Sequence, residues 1–233
     1  MLNEEIRKKI IATADDFGIS EMANKRILEL AKSGKVDRVA IMTDGILPQE
    51  EIDILLRSGV KMDVHLNITE KFKGERKLKE GIIKRSALFL ARYIGGQVSA
   101  STIEKEWEEQ ILKFKEIIGK YPDGINSHQH VHYYPSYFKA TSELSKKHSI
   151  SFIRCGNKGL LGNINGVKQI LSVFRRNDTK YLAKDGIESS DYLVSFDWIK
   201  DFEKFLDNLP QGSVEITFHP ERDEEFKIIK RYF

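Results

Sequence analysis

The sequence predicts an α/β protein on a mostly parallel sheet, and three observations carry the prediction. Short β-rich apolar runs alternate with helical patterns along the chain. No composition shift marks a linker, so residues 1–233 are expected to form a single domain. The polar residues suited to chemistry, Asp15, Asp16, His65, His128, Arg154 and His219, fall where strands end. Strand ends that converge on one face are a property of (β/α) barrels, so an irregular TIM-like barrel is favoured over an open doubly wound sheet.

KIIATA (Lys9–Ala14) reads as a buried strand. Ser20 then caps a helix with the face Ala23, Ile27, Leu30 and Ala31, and Gly34 closes it. Val36–Met42 is a second strand, Glu50–Gly59 a short helix and Val60–Leu66 a third strand. Thr102–Lys120 is the clearest helix: Ile103, Trp107, Ile111, Phe114 and Ile118 keep a 3.6-residue period. Ser101 and Glu104 form a capping box at its start, and Gly119 stops it. A strand at Gly124–His128, a helix at Ser136–His148, and strands at Ile150–Arg154 and Ser213–Phe218 complete the pattern.

Composition bounds the function. The chain is 40% hydrophobic and 31% charged, which suffices for a full core. Its 38 Lys+Arg against 35 Asp+Glu are dispersed, which argues against a nucleic-acid partner. A single cysteine, Cys155, excludes an internal disulfide framework and fits a reducing compartment. No apolar run is long enough to span a membrane, and MLNEEIRKKIIATADD lacks the features of a signal peptide, so a cytoplasmic location is expected. A homodimer remains compatible with the sequence.

ATADDFGIS sets two carboxylates after a strand and before a helix cap. Neighbours on an extended chain point opposite ways, so Asp15 and Asp16 are expected to take different tasks. NSHQHVHYYP holds His128, His130 and His132, which share a face on a strand and diverge on a turn. On the third strand, Asp63, His65 and Asn67 alternate with Val64, Leu66 and Ile68. One Asp with two His is a common ligand set for a catalytic divalent metal. The ligands lie about 50 and then about 60 residues apart, which suits successive βα units rather than a zinc finger. The chain has no His-Glu-x-x-His, Cys-x-x-Cys, P-loop or Gly-x-Gly-x-x-Gly. Cys155 beside Arg154 reads as a structural thiol, and Tyr133, Tyr134 and Tyr137 serve either packing or sugar stacking.

ATADDFGIS, DVHLNIT, NSHQHVHYYP, Arg154 and the late FHP stand in the order found in the YdjC-like carbohydrate deacetylases, which the chain resembles from Ile10 to Pro220. The resemblance implies an irregular (β/α) barrel holding one divalent metal ion, Mg2+ or Zn2+, and hydrolysis of N-acetyl groups from small acetylated oligosaccharides such as diacetylchitobiose. It places Asp16, His65 and His128 as metal ligands, Asp15 as general base and His219 as acid or oxyanion support. His132 and Arg154 follow as pocket residues. Asn126 stands where the family often has Asp, which removes a charge expected to tune His128 or the base. The late motif continues with Glu221 where glycine usually follows the proline. The family's C-terminal helical segment is expected to be short or missing, and the basic stretch Lys71–Arg85 replaces a substrate-covering loop. Rival readings are a non-catalytic sugar- or metal-binding protein on the same scaffold and a metal-dependent phosphoester hydrolase.

Overall fold

The computed structural model describes residues 2–68 and 99–233. The Lys71–Arg85 stretch, to which the sequence assigned a loop role, lies outside the described residues. The strands are β1 (Ile10–Phe17), β2 (Arg38–Ile41), β3 (Lys61–Leu66), β4 (Gly124–Ser127), β5 (Gly159–Leu160), β6 (Tyr192–Ser195) and β7 (Val214–Phe218). They pair in parallel in the order β4-β3-β2-β1-β7-β6-β5. Successive residues of β2, β4 and β7 are buried, as in sheets covered on both faces.

Ladder pairing among the described residues does not close a full barrel. The sheet ends at β4 and β5, and the expected strand at Ile150–Arg154 makes isolated bridges only, Ile125 to Ile153 and Phe152 to Glu188. Arg154 N–H still donates to the Ile125 carbonyl at 3.0 Å, which seats Arg154 beside the end of β4. Among the described residues, no helix is long and apolar enough to cross a membrane.

The helices are α1 (Glu4–Lys9), α2 (Glu21–Lys32), α3 (Gln49–Ser58), α4 (Ala100–Ile118), α5 (Pro135–Lys147), α6 (Gly166–Asp185), α7 (Phe202–Asp207) and α8 (Asp223–Tyr232). Ser20 caps α2 by accepting from Ala23 N–H at 3.1 Å, as its sequence predicts. The cap of α4 is Ser99 rather than Ser101: its hydroxyl accepts from Thr102 N–H at 3.1 Å, so the helix starts at Ala100. Ile103, Trp107, Ile111, Phe114 and Ile118 are buried along α4 as the periodicity requires. The ten-residue α8 packs against α2. Helices α4, α5 and α6 pack in chain order.

The loop after β1 is drawn tightly against the loop after β2. Ile46 N–H donates to Gly18 O at 2.7 Å, and Gly18 itself sits at φ 103°. A β-carbon on Gly45 would lie 2.2 Å from that same carbonyl oxygen, so this crossing requires glycine.

Candidate metal centre

The site begins with a break in β1. Its register against β2 shifts between Ala14 and Phe17, and Asp16 takes φ 69°. A left-handed residue with a side chain costs about 1–2 kcal/mol, a cost that aspartate bears better than most. The extended alternation breaks at this bulge, and His65 acts electrostatically on both carboxylates. Their hydrogen-bond partners differ, Arg154 for Asp15 and the two histidines for Asp16.

Asp16 Oδ1 lies 3.1 Å from His65 Nε2 and 3.0 Å from His128 Nδ1. One donor atom from each residue falls within 4.8 Å of the others. The two rings meet edge to face, 5.6 Å between centroids. Donors about 2.0–2.2 Å from a common zinc ion stand about 3–3.5 Å apart, so this set of one carboxylate and two imidazoles fits a divalent cation. Burial raises the Asp16 carboxyl, but His128 and His65 outweigh it and hold it well below the usual carboxylate range. Burial likewise opposes charge on His65, while Asp15 and Asp16 bring its pKa above the ordinary histidine value. His65 is 2% exposed.

Behind His65 lies Asn126, its direct neighbour in the β3–β4 register. His65 Nδ1 and Asn126 Oδ1 are 2.5 Å apart. Asn126 Nδ2 reaches Asp63 Oδ2 at 3.5 Å, and Arg38 grips Asp63 through Nε at 2.8 Å and Nη2 at 2.5 Å. The sequence reading tied residue 126 to His128 or the base; the parallel register brings it to His65 instead.

Asp15 belongs to a second buried group. Arg154 donates from Nη1 and Nη2 to its two carboxylate oxygens at 2.8 Å each, and from Nε to Glu215 Oε1 at 2.8 Å. Thr13 Oγ1–H adds a bond to Glu215 Oε1 at 3.0 Å. Burial raises the Asp15 pKa, but the Arg154 guanidinium outweighs it and the net shift is downward, so Asp15 is ionised at neutral pH. Arg154 is 0% exposed with its guanidinium given to these carboxylates, so in this structure it holds Asp15 and Glu215 rather than lining an open pocket.

His219 follows the last pair of the β1–β7 register, Ala14 with Phe218, and so stands beside Asp15. Glu225 at the start of α8 accepts from His219 N–H at 2.6 Å and lies 3.4 Å from Nδ1. Burial works against protonation of His219, but the Glu225 carboxylate pushes its pKa up to about 9.

The three motif histidines diverge, because Gln129 and His130 take left-handed φ of 57° and 55°. His128 turns to Asp16. His130 packs against Trp198, 5.7 Å between centroids. His132 is 0% exposed: Nε2–H donates to Arg154 O at 2.8 Å, and Nδ1 accepts from Ser127 Oγ at 2.7 Å. Burial depresses its pKa to about 3, so it is a neutral brace between β4 and Arg154, without the exposure a pocket residue needs. Tyr133, Tyr134 and Tyr137 are buried core residues, which leaves packing as their role. Cys155 is 0% exposed and burial raises its thiol pKa, in keeping with a structural thiol.

Sequence reasoning named Asn126 but not its partners His65 and Asp63, and it missed Glu215 and Glu225. Glu215 carried a signal, since a charge inside the apolar run SVEITF demands a buried partner. Nothing local marked the others.

The family model for "YdjC-like protein" matches residues 9–231. A zebrafish (Danio rerio) carbohydrate deacetylase is 26% identical over 188 residues, covering 78% of this chain and 59% of its own. A carbohydrate deacetylase from Clostridium beijerinckii is 30% identical over 146 residues, covering 61% of this chain and 58% of its own. The chain thus spans less than two thirds of the length of these relatives. Among solved structures, an Enterococcus faecalis protein proposed to cleave cellobiose phosphate superposes with TM-score 0.62 at 20% identity, covering 91% of this chain and 80% of that one, a likeness of fold. With the family model matched from the start of β1 into α8, the chain belongs to the YdjC-like protein family.

Proposed function

We propose that this chain is a metal-dependent deacetylase of N-acetylated amino sugars, with small chitooligosaccharides such as diacetylchitobiose as substrates. The observation that carries the reading is the convergence of Asp16, His65 and His128 at strand ends, with ionised Asp15 beside them. The relatives' names, carbohydrate deacetylase, support an acetylated sugar as substrate.

A divalent ion held by Asp16, His65 and His128, Mg2+ or Zn2+, would supply Lewis acidity and acidify a water at an open position. Asp15, held by Arg154, takes the proton as the water oxygen attacks the acetamide carbon. Its lowered pKa makes it a weak base, so its proton is easily passed on. The C–N bond then breaks as His219, protonated at neutral pH, gives its proton to the leaving nitrogen. The products are acetate and a free amine.

The test is acetate release from N,N′-diacetylchitobiose by protein reconstituted with Zn2+ or Mg2+, beside a chelated control. Metal-dependent release is expected. Asp15→Asn should keep the metal and lose turnover, whereas Asp16→Asn should lose both. Bound metal without acetate release from any acetylated sugar would assign a binding role instead.

A further inference from the structure

We propose that Asn126 is the positioning residue of this metal centre, and that it fixes the ring atom through which His65 binds. The proposal rests on reading Asp16, His65 and His128 as ligands, and it goes beyond that reading by assigning each histidine its donor atom.

Asp63 is 0% exposed and engaged by two Arg38 donors, and Arg38 stacks on Phe152 with its Cζ 4.0 Å from the ring centroid. A carboxylate so held can only accept, so the end of the Asn126 amide facing it is Nδ2. The amide oxygen is thereby turned to His65, 2.5 Å from Nδ1. That oxygen also only accepts, so the proton must sit on His65 Nδ1. The ring atom left for an ion is Nε2, the atom facing Asp16 Oδ1. His128 presents the opposite atom, Nδ1, to the same oxygen. The two imidazoles of one centre are therefore of opposite tautomer.

The same chain of bonds explains why an amide serves at position 126. It donates to one buried neighbour and accepts from the other, whereas a carboxylate there would lie against Asp63 Oδ2 with nothing to donate. Leucine, of similar size, can do neither.

The test uses the full chain labelled with nitrogen-15 and loaded with Zn2+ alone, read by long-range proton–nitrogen correlation of the histidine rings. We expect His65 to show a protonated Nδ1 and a metal-bound Nε2, and His128 the reverse. This measurement requires no variant and so does not depend on one folding. Chelator-competition titrations then compare Zn2+ affinity. Asn126→Leu should lose about 10–100-fold. Asn126→Asp, which retains the acceptor, should lose less and keep the His65 tautomer. Binding through His65 Nδ1, or an Asn126→Leu variant that holds Zn2+ as tightly as the parent, would overturn the proposal while leaving the metal centre standing. Zn2+ that moves neither His65 nor His128 resonances would remove the metal centre itself, and the proposal with it.

Discussion

Replacing Arg154 with methionine removes the cation that bridges two buried carboxylates, Asp15 and Glu215. Three charge-assisted hydrogen bonds of 2.8 Å go with it, and methionine fills much of the space without offering a donor. Breaking a buried pair from one side costs about 3–5 kcal/mol, because the remaining charge is left in a low-dielectric interior. At about 2–4 °C per kcal/mol for a chain of this size, the melting temperature should fall by about 6–20 °C. The pH dependence is a sharper signature. In the parent, Asp15 has a lowered folded pKa, so its contribution is complete above its unfolded value of 3.8 and is lost as pH falls through the folded value. In Arg154→Met, burial is left to dominate, so the folded pKa of Asp15 rises and the folded variant takes up a proton that the unfolded chain does not. Acid therefore relieves the variant, and the gap from the parent should be widest near pH 7.5 and narrow towards pH 5. Circular-dichroism melts of metal-free protein at several pH values read this directly. A loss under about 1 kcal/mol at pH 7.5, or a gap that widens in acid, would refute the account of Arg154 as a buried counter-charge.

Three further outcomes are expected. Glu225→Gln should remove the charge that holds His219 up to about 9 and move the alkaline limb of kcat/KM down by about one pH unit or more; an unmoved limb would reject His219 as the acid. Gly45→Ala should cost about 1–3 kcal/mol in chemical denaturation, since its β-carbon would meet Gly18 O at 2.2 Å, and a neutral result would show that the loop yields. Cys155 should resist a disulfide thiol reagent at pH 8 in the native state and react fully in denaturant, because it is 0% exposed and burial raises its pKa.

Much of the fold was legible because the patterns that encode it are local. Ser20 heads α2 and Gly119 ends α4 at φ 84°, and both were read from residue type and period alone. Two helices that escaped detection, α6 and α1, had weak signals. In α6, polar residues interrupt the stripe and only Leu171, Asp178 and Leu182 are buried. In α1 none is, and its cap is Asn3, accepting from Ile6 N–H at 2.8 Å. Barrel closure was read from polar residues at strand ends, which an open parallel sheet also gathers along one edge; among the described residues the expected strand at Ile150–Arg154 makes bridges and no ladder.

The sequence by itself determined the order of the candidate site residues along the chain and their places at strand ends. Tertiary structure decided their company. A bulge with Asp16 at φ 69° turned that carboxylate to His65 and His128 while Asp15 went to Arg154. Parallel register across 61 residues set Asn126 behind His65, and folding across 139 residues closed Arg154 onto Asp15. Such pairs leave no local trace, because a buried charge requires only that some counter-charge arrive, and the sheet order determines which one does.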